Sequence, residues 1–526
     1  MIVIYSRGFL HQSLFDIIPL TIRIIVIIND VIKITSTIFI EPIKCLLLFS
    51  LKVIFQSCFM NYPLGLIVLR RLFGTDGVRG VINKELTVDF VVKLAYAIGT
   101  YFGEGSRILV GRDVRLGGEI FLKAVEAGLV GAGCKVYEAG LITTPGLQYN
   151  VGYKGFDGGV MITASHNPPE YNGIKVIDAD GIEIPRKAEE EIEKIFFEQK
   201  FKPANILLLA STVEKEPNVI DDYIKAIVEL VDKVEISKKR FKVLVDPANS
   251  VAALTTTRVV RELGGKVYTL NGHLDPLFPG RHPEPTVENL RETAMVARTL
   301  EVDFAIGHDS DGDRAIVIDD KGRIHWGDRS AALLVGHLVH KHPEEPKKVY
   351  TAVSSSTLVE EYLRRHGVKV VWTRVGSPII AREIVKGGGL AGFEENGGFM
   401  YPKLLPVRDG AMKTALIMEM LAYEKIKLSE MFDRLPKYYP IKTKIPMRKE
   451  VALKVVEKVK EIYAGQRMIT IDGVKVIGDD YWFLVRPSGT EPLLRVMVEA
   501  KDKRKAEELA QQLVKIAKEV ASRHEV

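Results

Sequence analysis

Cysteine is scarce in this 526-residue sequence, which contains only Cys45, Cys58 and Cys134. Their spacing matches neither a disulfide framework nor the paired-cysteine pattern of a zinc site. Both are therefore excluded as organising features of the fold. A chain without disulfides is typical of a reducing compartment, so we expect this protein in the cytoplasm.

A strong charge of one sign is also missing. Lys and Arg total 73 and Asp and Glu total 67, which gives a net charge of +6. A nucleic-acid-binding protein would carry clustered basic faces, so no nucleic-acid partner is expected. Positive charge that matters for function should instead be local and directed at a small anion.

Long uninterrupted hydrophobic runs are absent as well. The longest charge-free segment, Val53–Leu69, contains Gln56, Ser57, Asn61 and Pro63. It barely reaches the roughly 17–25 residues that a membrane span needs. The sequence also lacks the basic start, single apolar core and small-residue cleavage site of a signal peptide. We expect no stable membrane association.

Residues 1–68 differ from the rest in composition, being rich in Ile, Leu and Phe. Three interpretations are open: an extension outside the natural protein, whose translation would start near Met60 or Leu69; a membrane-associated segment; or a packed appendage. We favour the first, and we expect this stretch to be no part of the fold.

From Arg70 onward, strands and helices alternate. The chain is too long for one core, because single hydrophobic cores stop growing near 250–300 residues. Short apolar strands separated by helical stretches predict β-α-β units in layered α/β domains. The last segment, with one helix, three strands and a final charged helix, is typical of a small α+β domain. The predicted domains are 69–218, 219–325, 326–436 and 437–526.

The first loop with chemical potential contains Ser165 and His166 and continues to Lys175. It follows the predicted apolar strand Gly159–Ile162, and ligands bind at the carboxyl ends of strands in α/β domains. We expect Ser165 to lie exposed there as a nucleophile, with His166 or Lys175 supplying a base or an electrostatic setting. Taken alone, the loop is more simply a polar turn.

A second loop, Asp309–Arg314, carries carboxylates at alternate positions. The side chains of Asp309, Asp311 and Asp313 can converge on one hard cation, Mg²⁺ or Ca²⁺. The alternatives are an EF-hand-like calcium loop and a solvated acidic turn. An EF-hand would have glycine at the sixth position and helices on both sides, whereas this loop has Arg314 and strand-like flanks. A guanidinium beside a metal indicates an anionic ligand.

Two glycine-rich turns are further candidates. Glu394–Gly398 carries carboxylate and amide groups that suit hydrogen bonds to vicinal sugar hydroxyls, although an exposed turn is the simpler interpretation of this segment alone. Arg486–Glu491 lies between two predicted strands. Its guanidinium, hydroxyl and glycine backbone groups suit a phosphate cradle, with a plain hairpin turn as the alternative.

Together the motifs resemble those of the α-D-phosphohexomutase superfamily, which includes phosphoglucomutase, phosphomannomutase and phosphoglucosamine mutase. Across Leu72–Ala500 they occur in the order Phe-Gly-Thr-Asp-Gly-Val-Arg-Gly, Thr-Ala-Ser-His-Asn-Pro, Asp-x-Asp-x-Asp-Arg, Gly-x-Glu-x-x-Gly and Arg-x-Ser-Gly-Thr-Glu-Pro. The resemblance implies an α/β protein. Three α/β layered domains with mixed sheets and a C-terminal α+β domain, similar to the TATA-binding-protein fold, would surround a central cleft.

The resemblance also implies an activity. The chain would be an isomerase of the intramolecular phosphotransferase type, which interconverts sugar 1-phosphate and sugar 6-phosphate through a phosphoserine and a bisphosphorylated sugar. One Mg²⁺ per chain and a sugar 1,6-bisphosphate activator are the implied cofactors, and a phosphosugar is the implied partner. A homo-oligomer stays open. The implied residues are Ser165, His166, Lys175 and Arg79 for catalysis; Ser165, Asp309, Asp311 and Asp313 for the metal; and Arg314, Thr373, Arg374, Gly376, Glu394, Asn396, Arg486, Ser488, Gly489 and Thr490 for substrate binding.

One departure from the family pattern concerns the sugar loop. Many bacterial members have Glu-x-Ser-Gly-His there, whereas this chain has Asn396 for the Ser and Gly398 for the His, with Phe393 where glycine is frequent. Whatever that His does elsewhere cannot be carried over. The chain resembles archaeal-type members; phosphomannose and phosphoglucose are the first choices of sugar, then phosphoglucosamine, then phosphopentose.

Two functions of other classes compete with a mutase. A metal-dependent serine phosphatase could use Ser165 and the three aspartates, but it would not need a second phosphate cradle at Arg486–Glu491. A non-catalytic scaffold would not need the serine and the aspartates together. The combination of loops therefore favours the mutase.

Overall fold

The computed structural model describes residues 71–74, 76–205, 213–489 and 491–524. The predicted extension 1–68 and Thr490 of the predicted phosphate loop lie outside these ranges. Within them, no helix combines the length and apolar character needed to cross a membrane. The described residues contain four β-sheets, and the strands of each sheet fall within one predicted segment. We call the segments domains I to IV.

The strands of domains I to III are numbered in chain order. They are β1 (Val78–Val81), β2 (Arg107–Arg112), β3 (Lys135–Leu141), β4 (Gly158–Ile162), β5 (Tyr171–Asp178), β6 (Glu214–Lys215), β7 (Lys242–Asp246), β8 (Lys266–Thr269), β9 (Phe304–His308), β10 (Ala315–Asp319), β11 (Ile324–His325), β12 (Lys348–Ala352), β13 (Lys369–Thr373), β14 (Ala391–Phe393), β15 (Phe399–Tyr401) and β16 (Leu405–Arg408).

The helices of the same domains lie between these strands. They are α1 (Val88–Phe102), α2 (Gly118–Gly131), α3 (Thr144–Tyr153), α4 (Arg186–Glu198), α5 (Val219–Glu229), α6 (Lys233–Lys239), α7 (Ala252–Glu262), α8 (Arg291–Thr299), α9 (Gly327–Lys341), α10 (Leu358–Arg364), α11 (Ser377–Gly387), α12 (Gly410–Glu424) and α13 (Leu428–Asp433).

Domains I, II and III share one strand arrangement. The sheet orders are β1-β5-β4-β2-β3-β6, β11-β10-β9-β7-β8 and β13-β12-β14-β15-β16. In each sheet a central strand (β2, β7 or β12) has two parallel neighbours, and antiparallel strands follow on one side. Parallel neighbours joined by helices are the β-α-β units that the sequence predicts. The expected mixed sheets are confirmed.

Three of the four candidate loops occupy the same place in these sheets. Each connects the last parallel strand to the first antiparallel one: the serine loop joins β4 to β5, the aspartate loop joins β9 to β10, and the sugar loop joins β14 to β15. The three loops therefore follow equivalent strands of their sheets, and together they form three parts of one site.

Domain IV has a purely antiparallel sheet of order β17-β21-β20-β19-β18. Two helices cover one face of this sheet and enclose a core that includes Val455, Phe483 and Leu513. The α+β expectation is confirmed, and the fourth candidate loop is the turn between β20 and β21. The elements are β17 (Tyr439–Pro446), α14 (Lys449–Ile462), β18 (Arg467–Ile469), β19 (Val474–Ile477), β20 (Tyr481–Pro487), β21 (Leu493–Ala500) and α15 (Lys503–Ser522).

Domains II and III are joined through one continuous hydrophobic core. Helix α12 is buried from Gly410 to Ala422, as expected of a helix that is apolar on most of its circumference. Asp409 caps it by accepting from the backbone N–H of Met412 at 2.8 Å, and also accepts from the Tyr223 hydroxyl of α5 at 2.6 Å. This packing fixes the aspartate loop relative to the sugar loop.

Helix α10 begins only at Leu358, two residues after a Ser-Ser-Ser run, because a serine side chain there competes with the backbone. The hydroxyl of Ser356 accepts from the backbone N–H of Leu358 at 3.2 Å and donates to Glu499 of domain IV. Serine side chains that bond nearby backbone groups favour non-helical conformations in this way.

Candidate active site

Ser165 lies just beyond β4 and is completely buried, so the expectation of an exposed serine is wrong. The aspartate loop covers it: Oγ of Ser165 donates to Oδ2 of Asp309 at 2.8 Å, and its carbonyl accepts from the Ser310 hydroxyl at 2.6 Å. The backbone of Ser165 has a φ of +50°, which non-glycine residues adopt rarely and often at functional sites. The prediction failed because the sequence of one domain does not indicate that a loop of a second domain will cover it.

Asp309, Asp311 and Asp313 converge as predicted. One carboxylate oxygen of each lies within 4.8 Å of the others, and all three residues are buried. Oδ1 of Asp311 and Oδ1 of Asp313 have no hydrogen-bond partner, which is costly for a buried carboxylate unless a cation binds there. Burial and the two neighbouring carboxylates raise the pKa of Asp309 well above its usual value, an effect that a divalent cation would reverse.

Lys175 on β5 supplies fixed positive charge to this cluster. Its ammonium donates to Oδ2 of Asp311 at 2.8 Å and of Asp313 at 3.2 Å, and lies 3.2 Å from Oδ2 of Asp76. Burial disfavours the charged form, but the three carboxylates outweigh it and raise the pKa of Lys175 above its usual value. Lys175 is therefore a permanent cation and not a general base.

His166 is the neutral neighbour of Ser165. Its Nδ1 lies 3.5 Å from Oγ of Ser165, at the outer limit of a hydrogen bond. Burial and the surrounding guanidinium groups lower the pKa of His166 well below its usual value, so the imidazole is neutral and adds no charge. Arg79 reaches the same loop, donating to Oδ1 of Asn167 at 3.0 Å and Oδ2 of Asp76 at 2.8 Å.

Sequence reasoning missed Arg115, which fastens the serine loop to the aspartate loop. Its side chain is buried, and Nε donates to the Ser310 hydroxyl at 3.2 Å. The sequence feature that could have indicated it is the run Gly-Arg-Asp-Val-Arg, which begins at the last buried residue of β2. The guanidinium also donates to four backbone carbonyls of the serine loop, those of Ser165, Asn167, Pro168 and Tyr171.

The sugar loop is tied to the aspartate loop by backbone contacts. Arg314 pairs with Gly398 in an isolated antiparallel bridge, and the N–H of Ala315 donates to the Gly397 carbonyl at 3.2 Å. The ammonium of Lys413 in α12 donates to the carbonyls of Ala315 at 2.7 Å and Gly397 at 3.2 Å. Burial lowers the pKa of Lys413 to about 7.

Within the sugar loop, Glu394 is buried and Asn396 is half-buried. Burial raises the pKa of Glu394. Oδ1 of Asn396 accepts from the N–H of Gly398 at 3.2 Å, so the oxygen end of this amide is engaged inside the loop. Of the two predicted sugar readers, Glu394 therefore offers acceptors and Asn396 offers its NH₂ group.

Arg408, at the end of β16, is a second residue that sequence reasoning missed. It is buried, and Nη2 donates to Oδ2 of Asp76 at 2.9 Å and to Oδ2 of Asp313 at 2.5 Å. Nη1 lies 3.5 Å from Oε2 of Glu394. One side chain thus contacts carboxylates of domains I, II and III, although it lies outside all five sequence motifs.

The predicted cleft segment after β13 reaches domain IV. The Thr373 hydroxyl donates to the carbonyl of Arg374 at 2.9 Å, which fixes the turn. Arg374 itself is exposed, and its Nε donates to the Ile471 carbonyl at 3.0 Å. The following backbone N–H donates to Oδ2 of Asp472 at 3.1 Å, and Gly376, with a φ of +141°, precedes α11. Backbone and guanidinium donors here face an acidic edge of domain IV.

Arg486 is the cation of the predicted phosphate loop. Its Nε lies 3.6 Å from Oδ2 of Asp472. Burial lowers the pKa of Arg486, and the carboxylates of Asp472, Glu395 and Glu394 act against that shift. The nearest of these carboxylates, that of Asp472, belongs to domain IV itself.

The turn beyond Arg486 is open on its outer side. The Ser488 hydroxyl accepts from the N–H of Glu491 at 3.3 Å, and Gly489 is exposed with no atom near the position of a missing Cβ. Thr490 is outside the described residues. An anion could approach this turn without displacing a side chain of the described chain.

The sequence matches four family models in chain order. They are described as phosphoglucomutase/phosphomannomutase alpha/beta/alpha domain I (residues 70–203), domain II (221–322), domain III (326–439) and the C-terminal domain (444–516).

Relatives agree with the family models. The chain is 55% identical over 449 residues to a phosphoglucosamine/phosphogalactosamine mutase of Sulfurisphaera tokodaii, covering 85% of this chain and 99% of that protein. It is 40% identical over 456 residues to a phosphoglucomutase/phosphomannomutase of Thermococcus kodakarensis, covering 85% and 99%.

The fold is similar to a crystal structure of a phosphoglucomutase/phosphomannomutase family protein from Burkholderia thailandensis. The TM-score is 0.75 at 24% identity, over 86% of this chain and 97% of that one, which bears on the fold alone. The chain therefore belongs to the phosphoglucomutase/phosphomannomutase family of the α-D-phosphohexomutase superfamily and is a phosphohexomutase, an intramolecular phosphotransferase of the isomerase class.

Proposed function

We propose that Ser165 carries the transferred phosphoryl group and exchanges it with either end of a hexose phosphate through a bisphosphorylated intermediate. The observation that carries this proposal is the cluster at Oγ of Ser165, where Asp309 lies 2.8 Å away and Lys175 contacts the two neighbouring aspartates. Phosphoryl transfer depends mainly on positioning and on neutralising charge. This cluster supplies both.

One Mg²⁺ fits the aspartate loop. Asp309, Asp311 and Asp313 form an all-oxygen donor set, which is the kind that hard cations prefer. Two of their buried oxygens have no hydrogen-bond partner in the protein. An oxygen of phosphorylated Ser165 would complete the set. When bound, Mg²⁺ would neutralise charge on the transferring group.

The protein's own residues account for the protons and charges. In the first half-reaction the bond between phosphorus and Oγ of Ser165 breaks, and a bond to O6 of a sugar 1-phosphate forms. Oγ regains a proton as it leaves, and His166, whose Nδ1 lies 3.5 Å from Oγ, would relay the one released by the sugar hydroxyl. Lys175 and Arg79 would bind phosphoryl oxygens. The second half-reaction returns the phosphoryl group from O1 to Oγ.

The phosphate that is not being transferred would bind at Arg486, Ser488, Gly489 and Thr490. Support comes from the open outer side of this turn and from the half-buried guanidinium of Arg486 that precedes it. Because the bisphosphate must turn around between half-reactions, the turn also has to hold it inside the cleft. Domain IV meets domain III through a buried hydrophobic cluster that includes Val353 and Trp482, and through polar contacts such as those of Arg374. This interface would have to shift as the cleft opens.

For the sugar, we propose glucosamine and galactosamine phosphates first, because the 55% identical relative is named for them. Glucose and mannose phosphates are the second candidates, since the 40% identical relative carries that name. This order reverses the one drawn from the sugar-loop residues. A sugar 1,6-bisphosphate activator, a cytoplasmic location and a homo-oligomeric state remain proposals of the same kind.

A panel of sugar 1-phosphates tests the proposal. The full chain is incubated with Mg²⁺, a trace of the matching 1,6-bisphosphate and each 1-phosphate of glucosamine, galactosamine, glucose, mannose or ribose, and the 6-phosphate (5-phosphate for ribose) is measured. We expect isomerisation, fastest with an aminohexose. Release of inorganic phosphate without isomerisation would instead establish a serine phosphatase.

A further inference from the structure

Gly398 of the sugar loop has its side-chain space filled by another residue. A Cβ at position 398 would lie 2.5 Å from Cδ and 2.8 Å from Cγ of Arg408, distances that no real contact tolerates. The stem of Arg408 therefore takes the volume that any side chain at 398 would need. The glycine and the arginine form one interlocked pair.

The guanidinium at the end of that stem lies at the centre of the site. Its Nη2 is bound by Asp76 and Asp313, at 2.9 and 2.5 Å. Its Nη1 is 3.5 Å from Oε2 of Glu394, longer than the roughly 2.7–2.9 Å of an ordinary charged hydrogen bond. The Nη1 edge is therefore less tightly bound within the protein than the Nη2 edge.

Charge at this centre favours an anionic ligand only while the arginine is present. The ion pairs join five carboxylates to four cations among the described residues, so with one bound Mg²⁺ the net charge is +1 with Arg408 and zero without it. These groups are Asp76, Asp309, Asp311, Asp313 and Glu394 against Arg79, Lys175, Arg314 and Arg408.

We propose that Arg408 is a substrate-binding residue. Its Nη1 group donates hydrogen bonds to two ligand groups: the sugar hydroxyl that also donates to Glu394, and the neighbouring phosphoryl group. Gly398 is required because it leaves room for the aliphatic part of the Arg408 side chain. The proposal rests on the proposed function, since it takes a sugar phosphate as the ligand. A guanidinium stays protonated, so this residue binds and orients but exchanges no proton.

The test measures binding and not turnover. The dephosphorylated full chain, which has no phosphoryl group to transfer, is titrated with glucose 1-phosphate and with glucosamine 1-phosphate at saturating Mg²⁺, and separately with Mg²⁺ alone. Arg408→Ala should weaken sugar phosphate binding about tenfold to a hundredfold, from the strength of charged hydrogen bonds. Arg408→Lys should recover part of the loss, because it restores charge without the fork.

Gly398→Ala should weaken binding as well, and it should add nothing further in the Arg408→Ala background. Mg²⁺ affinity should stay equal or become tighter, because a cation near the aspartates has been removed. Arg323→Ala is the matched control: this arginine also joins two carboxylates, Asp319 and Asp433, but outside the site. It should bind sugar phosphate as the unaltered chain does.

Three results would overturn the proposal. In one, Arg408→Ala binds both sugar phosphates normally. In another, it weakens Mg²⁺ binding and regains sugar binding at high Mg²⁺, so that the arginine only holds Asp313 in position. In the third, the effects of Gly398→Ala and Arg408→Ala add. Should Arg408→Ala fail to fold, the binding curves of Arg408→Lys and Gly398→Ala decide between these outcomes. A chain that binds sugar phosphate through Arg408 but never isomerises it would overturn the proposed function alone.

Discussion

Lys413 provides a prediction in which the pH dependence follows directly from the structure. Its ammonium is fully buried where α12 meets the junction of the aspartate and sugar loops, and its hydrogen-bond acceptors are the carbonyls of Ala315 and Gly397. Burial lowers its pKa from 10.5 to about 7. The perturbation is Lys413→Met, which keeps the length of the side chain and removes the titrating group.

The magnitude follows from proton linkage. Between pH 7 and 10.5 the unfolded chain holds a proton at this lysine that the folded chain lacks, so the free energy of unfolding rises with pH by about 1.4 kcal/mol per unit. The penalty is complete below pH 7, at about 5 kcal/mol, and absent above 10.5. The methionine variant loses two hydrogen bonds at a cost of about 1–3 kcal/mol each, independent of pH. The variant should therefore be close to the unaltered chain in stability at pH 7.

At pH 9 the unaltered chain should have gained roughly 2–3 kcal/mol relative to Lys413→Met. Urea unfolding of both proteins at pH 7, 8 and 9 measures this, followed by the fluorescence of the three tryptophans, of which Trp326 and Trp372 lie in domain III and Trp482 in domain IV. Lys84→Met, at an exposed lysine, is the control and should run parallel to the unaltered chain. If Lys413→Met also runs parallel, Lys413 titrates normally and the reasoning about its burial is wrong.

Three further predictions concern the metal, the distal phosphate and the extension. Asp311→Asn should lower turnover by orders of magnitude and weaken Mg²⁺ binding in calorimetry, because a metal ligand loses its charge; full turnover in excess chelator would refute this. Arg486→Ala should cost about 2–4 kcal/mol in kcat/KM and release more sugar bisphosphate, with Arg486→Lys recovering part; unchanged values for both would exclude this loop as the distal phosphate site. A chain without residues 1–68 should be monodisperse in size-exclusion chromatography and fully active in the isomerisation assay. Aggregation or loss of activity would contradict this prediction.

Much of the fold could be predicted because its strands are short apolar runs between turn residues. The predicted strand Gly159–Ile162 is observed as Gly158–Ile162, one residue longer. The shared arrangement of domains I to III was harder to foresee, since it is a property of strand order and not of sequence identity. Once known, it explains why the serine, aspartate and sugar loops meet.

The site was predictable where one loop carries its own chemistry. Alternating aspartates within one loop indicate a candidate cation site, and the structure brings Asp309, Asp311 and Asp313 together. Burial of Ser165 and the roles of Arg115 and Arg408 were not predictable, because each depends on a contact between domains. A lone arginine on a strand gives no sign of which carboxylates a distant loop will bring to it.

The central claim, that Ser165 carries the phosphoryl group, has one direct measurement. The full chain is incubated with Mg²⁺ and a ³²P-labelled hexose 1,6-bisphosphate, and intact mass and peptide mapping locate the label. Ser310→Ala is the control for the adjacent buried hydroxyl. The account predicts one phosphate on the peptide containing Ser165, its loss in Ser165→Ala together with loss of isomerisation, and its retention in Ser310→Ala. Stable label on another residue, with Ser165→Ala fully active, would contradict it.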